Sequence, residues 1–188
     1  MMIRVLCLAL ACVLAPSLAS AQTNAQLRGR LDIVGEAPSA CVTFAPATIS
    51  SANATLQSQG QGAAEVRITE LIDPQTSQAR ASSINILLPI TCNTAHRLVL
   101  RSGNGGLLRD GGNAQSQAGG FREFVPYQVS ASWSRQNVSA GSDQVLSINV
   151  GDGAAGEASV LINVPAGGAP LVAGGYGDSV VIELRVEN

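Results

Sequence analysis

Catalysis or metal binding in this 188-residue sequence would have to be built from four cysteines, one histidine and a few turn carboxylates. The single histidine, His96, rules out a His-rich metal cage. Beside Arg97 at the start of a strand pattern, it reads as a solvated turn residue. No Gly-x-Ser-x-Gly elbow presents a serine nucleophile. The glycine runs at 103–112 and 167–175 lack phosphate-loop spacing, and the chain has no lysine to complete one. Asp110, Asp152 and Asp178 stand in turns, where Asp is favoured because its carboxylate bonds nearby backbone N–H groups. The reading is therefore no catalytic residue, no metal, no cofactor and no enzyme.

Cysteine usage depends on the N-terminus. Arg4, the apolar run Val5 to Leu14 and the small-x-small site Ala19-Ser20-Ala21 have the form of a cleaved signal peptide over residues 1–21. The apolar run is too short to span a bilayer. Cleavage there removes Cys7 and Cys12. A competing cut before Cys12, after Ala9-Leu10-Ala11, would instead give an outer-membrane lipoprotein. Two cysteines then remain in an exported chain, Cys41 and Cys92, and an oxidising compartment favours a disulfide over a metal site or two free thiols. Closing a loop of 51 residues (92 − 41) is worth about 4 kcal/mol in the chain-entropy account.

The elements that hold these residues read as strands. Hydrophobic residues make up 46% of the chain and aromatics 3%, so the core is built from Val, Ile, Leu and Ala. Twenty glycines mark many turns, and no long stretch has helical periodicity, which makes the class all-β. A net charge of −2 without a basic cluster argues against nucleic acid as a partner.

The most regular stretch is the last. Val180, Ile182, Leu184 and Val186 alternate with Val181, Glu183, Arg185 and Glu187, the period of a half-buried strand. The sequence stops two residues beyond Val186, so a second neighbour for this strand is expected from another molecule. A similar pattern opens the mature chain, with Leu27, Gly29, Leu31 and Ile33 on one face and Arg28, Arg30 and Asp32 on the other. It is set off by Gly35-Glu36-Ala37-Pro38. It reads either as an ordinary first strand of its own domain or as a detachable arm, residues 22–38, whose apolar face fits a groove elsewhere.

The body, residues 39–188, gives about seven strands at sandwich-like spacing. Cys41 to Phe44 is a short strand, and residues 47–63 are a loop or a poor edge strand. Glu65 to Ile72 alternates with Val66, Ile68 and Ile72 inward. Ile84 to Cys92 is the longest alternation and reads as a central strand despite Pro89. His96 to Ser102 pairs back on it. Residues 103–120 read as a loop that cannot form a core. Val125 to Trp133, Val145 to Val150 and Ser159 to Val164 complete the set before the glycine-rich connection 165–175.

Four pieces together resemble the spore coat protein U / Csu-type pilin family. They are Ala40-Cys41-Val42, LPITCNTAHRLVLRSGNGGLLRD, VPYQVSASW and the closing VPAGGAPLVAGGYGDSVVIELRV, whose Gly174, Tyr176 and Asp178 match the family's turn before its last strand. Residues 47–83 are longer than the family's counterpart and lack its aromatic-Gly element. The resemblance implies an incomplete immunoglobulin-like β-sandwich lacking its last strand, completed by donor-strand exchange. It implies a periplasmic chaperone, an outer-membrane usher and neighbouring subunits as partners, and export through the periplasm to a cell-surface pilus. Leu27, Gly29, Leu31 and Ile33 then become the donor arm, and Val180, Ile182, Leu184 and Val186 the strand bordering the acceptor groove. The alternatives are a self-associating spore or cyst coat protein, and a secreted sandwich that binds a ligand between its glycine loops.

Overall fold

The computed structural model describes residues 33–43, 48–51, 53–60 and 63–187. The expected signal peptide, with Leu27, Gly29 and Leu31, lies outside the described residues. The chain divides into two units, Met1–Glu36 and Ala37–Asn188. Of the first, residues 33–36 are described, and Ile33 and Val34 are exposed there. All the described strands belong to the second, an all-β sandwich.

Its larger sheet grows from two long strands. In β5 (Ser82–Cys92) and β12 (Ala154–Val164), alternation of apolar and polar residues fixes the register, because a one-residue slip would turn the core face to water. They pair antiparallel from Ala154↔Cys92 to Val164↔Ser82. Next to β12 lie β9 (Gln128–Trp133) and then β10 (Gln136–Gly141), while β1 (Cys41–Thr43) and β2 (Thr48–Ser51) pair successive stretches of β5 on its other side. The smaller sheet has the order β11 (Leu146–Val150), β6 (His96–Ser102), β14 (Val180–Val186). Leu98, Leu100, Leu146 and Ile148 from it meet Leu88, Ile90, Val129, Ala131, Trp133 and Val160 from the larger one in one buried core.

Pro89 sits inside β5 without breaking the sheet. The amide of Asn93 donates to Ala40 O at 3.1 Å, so the alternate residues Thr91 and Pro89 also face the β1–β2 side. The N–H that proline lacks is therefore missing toward the edge where the ladder passes from β1 to β2, and the pairing with β12 is untouched.

Several segments fold differently from their sequence reading. Residues 47–63, read as a loop or poor edge, supply β2 and β3 (Ala54–Gly60), the latter hairpin-paired with β4 (Ala63–Ile68). The strand expected to reach Ile72 ends at Ile68, and Ile72 makes an isolated bridge to Ala79. The 103–120 segment contributes β7 (Leu107–Arg109), the middle of a small sheet with β8 (Phe124–Val125) and β13 (Tyr176–Gly177). Its Leu107 packs on the core, contrary to the expectation of a coreless loop. β10 was absent from the sequence reading because its turn hides itself. Ser134 and Arg135 both take positive φ, 47° and 64°, as a two-residue hairpin loop of mirror-image type requires, yet neither is the Asn or Gly that announces one.

His96 corrects a second expectation. It is fully buried rather than a solvated turn residue. Trp133 Nε1–H donates to His96 Nε2 at 2.8 Å. Indole nitrogen is a donor only, so Nε2 accepts and the ring proton sits on Nδ1, which donates to Thr94 O at 2.8 Å. Both polar rings are thereby satisfied inside the core.

Candidate functional site: an open strand edge

β14 joins the smaller sheet through β6, with Val180↔Ser102 at one end and Val186↔His96 at the other. Two backbone bonds just beyond its ends fix the phase of the ladder: Gly103 N–H donates to Ser179 O at 2.7 Å, and Glu187 N–H to Ala95 O at 2.9 Å. In an antiparallel pair, hydrogen bonding to one neighbour alternates along the strand. Val181, Glu183 and Arg185 therefore bond β6, while Val180, Ile182, Leu184 and Val186 turn their N–H and C=O groups the other way. Among the described residues, no strand pairs that outer edge.

The same four residues face the core with their side chains, and the packing is incomplete. Val180, Ile182 and Leu184 touch the core but stay half-buried, and Val186 is 37% exposed. One strand over, Leu98 and Leu100 of β6 are 0% and 2% exposed. Of the four residues expected to border an acceptor groove, Val180, Ile182 and Leu184 pack partly against the core, and Val186 is the most exposed. β1 of the larger sheet approaches β14. The Cys41–Cys92 disulfide ties β1 to β5 through directly paired residues, with an S–S distance of 2.07 Å. His96 lies close to both sulfurs, but their mutual bond leaves no thiolate to bind a metal.

The start of β14 is held by the closing motif. Asp178 accepts four hydrogen bonds. Asn104 N–H and Ser179 N–H donate to Oδ1 at 2.9 and 2.7 Å. Tyr127 O–H donates to Oδ2 at 2.6 Å, and the Ser102 hydroxyl bonds the same oxygen. Burial, together with the negative charge of Asp178, pushes the Tyr127 phenol well above its ordinary value. Tyr176 donates its O–H to Val172 O at 2.8 Å. Gly174 has φ 149°, and a Cβ there would lie 3.2 Å from the Arg109 side chain, which bonds Glu123. So Gly174 and Tyr176 shape the approach to β14 while Asp178 holds it. In sequence, Gly174, Tyr176 and Asp178 are singled out by the resemblance alone. The partners Ser102 and Tyr127 are not singled out there, although an inward-facing tyrosine in an alternating run signals a polar partner for its hydroxyl.

A cleft of about 820 Å³ opens beside this end, between residues 65–72 on one wall and Leu107 with residues 174–178 on the other. Its apolar lining includes Val66, Ile68, Leu71, Ile72, Leu107 and Tyr176. Arg67 pairs with Glu65 at 3.0 Å, and Arg80 pairs with Glu70.

No family model and no curated protein matches the chain. Among solved structures it is similar to a chain of the chaperone–tip adhesin complex of CFA/I fimbriae biogenesis. The two are 14% identical, with a TM-score of 0.46 over 72% of this chain. The chain spans 43% of the length of that one.

Proposed function

We propose that the chain is a structural subunit of a chaperone-usher surface pilus, of the spore coat protein U / Csu type, that polymerises by donor-strand complementation. The observation that carries the reading is the outer edge of β14. There Val180, Ile182 and Leu184 combine outward-facing backbone groups with half-buried apolar side chains. An unpaired edge beside apolar surface attracts another strand. The arm Leu27 to Ile33 has the complementary period, with Leu27, Gly29, Leu31 and Ile33 on one face.

In this reading the arm of one subunit lies along β14 of the next. Its main chain bonds Val180, Ile182, Leu184 and Val186, and Leu27, Leu31 and Ile33 fill the groove. Each buried side chain contributes roughly 1.5–3 kcal/mol before ordering costs. An arm-to-groove contact is head-to-tail, and a heterologous contact that does not close on itself builds a filament. A periplasmic chaperone covers the groove before assembly, and an outer-membrane usher exchanges it for the incoming arm. The disulfide fits export into an oxidising compartment. The role requires neither catalysis nor a cofactor.

The test appends residues 22–36 after Asn188 through a short flexible linker. The expected result is a melting temperature higher by about 10 °C, the scale on which several kcal/mol of added burial moves a domain of this size. A fusion that melts no higher than the unfused chain overturns the proposal.

A further inference from the structure

The donor-strand reading leaves Asp178 without a task, yet its carboxylate is tied to several separate elements. Its four hydrogen bonds come from the turn after β6 (Asn104 N–H), the last residue of β6 (Ser102 O–H), the residue preceding β9 in the opposite sheet (Tyr127 O–H) and its own neighbour (Ser179 N–H). An ionised carboxylate offers about four acceptor positions, so the group is saturated. The contact is reinforced on both sides. Asn104 Nδ2–H donates to Gly177 O at 3.2 Å, and Gly105 N–H donates to Ser102 Oγ at 2.7 Å. A Cβ on Gly103 would come within 2.4 Å of Ser179 Oγ, so a side chain there would force Ser179 to move. At its other end β14 is held only at the surface, by the Glu187–Ala95 backbone bond and an Arg97–Glu187 ion pair at 3.0 Å between exposed groups.

An edge strand with one neighbour lacks half of its ladder, and such strands fray. A strand that frays must be re-ordered each time a partner adds to it, at a cost in affinity and association rate. We infer that Asp178 is a positioning residue: it anchors the first residues of β14 to both sheets so that the outward-facing N–H and C=O groups of Val180, Ile182 and Leu184 are already aligned before a donor strand arrives. The inference rests on the donor-strand reading and adds to it the origin of the groove's pre-organisation. Asp178 touches no part of the incoming strand. Its effect passes through Ser179 to β14.

The rate of strand addition reports this directly. A synthetic peptide of residues 22–36 is added to the full chain, and association and dissociation are followed for wild type, Asp178→Asn, Ser102→Ala and Ile148→Val. Ile148 lies in the buried core of β11 and controls for a general loss of stability. Amide exchange at Val181 and Glu183, whose N–H groups bond β6, is followed in the same proteins. Asp178→Asn is expected to slow association about tenfold, to leave dissociation within about threefold of wild type and to speed exchange at Val181 and Glu183. Ser102→Ala shows the same pattern more weakly, and Ile148→Val shows none of it. Unchanged exchange in Asp178→Asn, or equal slowing by Ile148→Val, overturns the positioning role. A peptide that fails to bind the wild-type chain overturns the donor-strand reading instead.

Discussion

The three-stranded sheet has two outer strands, and they are finished differently. β11 bonds β6 through Leu146, Ile148 and Val150, so Ser147 and Asn149 turn their backbone outward. That side is covered: Gln136 of β10 donates its side-chain N–H to Asn149 O at 2.6 Å, and Ile148 is 1% exposed. β14 is as regular in sequence and longer, yet its outward backbone groups meet no described strand and its core-facing side chains remain half-buried. An edge can thus be closed without adding a strand to its own sheet, by folding the opposite sheet's last hairpin over it. The molecule does this at one end of the sandwich and not at the other. What separates the two is the course of the chain around them, since either strand alone would read as an ordinary half-buried element.

The largest expected effect concerns β1, which approaches the open edge from the larger sheet. Replacing Cys41 and Cys92 together with serine releases β1 from β5 and is expected to lower unfolding free energy by about 4 kcal/mol in a denaturant titration. A loss below about 1 kcal/mol would mean that β1 is held mainly by its ladder and that its place beside β14 does not depend on the bond.

Next comes a matched pair of truncations. Ile148→Ala in β11 is expected to cost roughly 2–5 kcal/mol, the usual range for a fully buried isoleucine. Ile182→Ala in β14 is expected to cost about half as much in the unfused chain, where its side chain is only partly covered. In the chain carrying residues 22–36 after Asn188, the cost of Ile182→Ala should rise toward that of Ile148→Ala. Equal costs in the unfused chain would erase the contrast between the two edges.

The smallest effects are pH-dependent and sit at the foot of the open strand, on its outer face and at the neighbouring β7–β8 pair. Tyr127 is held neutral well above its ordinary value of 10.0 by burial and by Asp178. A raised folded-state value contributes stability that is fully present below about pH 10 and is lost as pH rises, because the unfolded phenol ionises first. Alkaline unfolding monitored by circular dichroism should therefore begin near pH 10 and be blunted in Tyr127→Phe. Glu183, lowered by its bond to Arg185, and Glu123, lowered by Asn113 N–H and by Arg109, act in the opposite direction. Their contribution is present above about pH 4.5, the ordinary glutamate value, and is lost as pH falls through their lowered folded values. Glu183 is the more exposed of the two, with 36% of its side chain accessible against 14% for Glu123, so salt should weaken its share of the acid limb more than the contribution of buried Tyr127.

Much of this architecture was legible from period-two alternation. β5, β6, β9, β11 and β14 were each read close to their observed positions, because one side of every such strand is buried and the other is not. The missed pieces share a different physics. β2, β3 and β10 are short of large apolar residues, and their pairing is fixed by neighbours distant in sequence. β7 sits in a glycine-rich segment whose two leucines carried the only signal. His96 was misjudged because one of the two bonds that satisfy its buried ring comes from Trp133, 37 residues away. The open edge was half legible. The alternation of Val180 to Val186 identified the strand and its inward face, but which backbone groups stay unpaired follows from the ladder phase, which only the three-dimensional pairing supplies.

The central claim is that the outward backbone groups of β14 are a vacant place for a strand from a second molecule. Amide exchange at Ile182 and Leu184 measures this most directly, since their N–H groups point away from β6. In the unfused monomer these two amides should exchange far faster than Ile148 of β11, and in the chain carrying residues 22–36 after Asn188 they should become as protected as Ile148. Protection of Ile182 and Leu184 already complete in the unfused monomer would show that the chain fills the place itself, and would contradict the account.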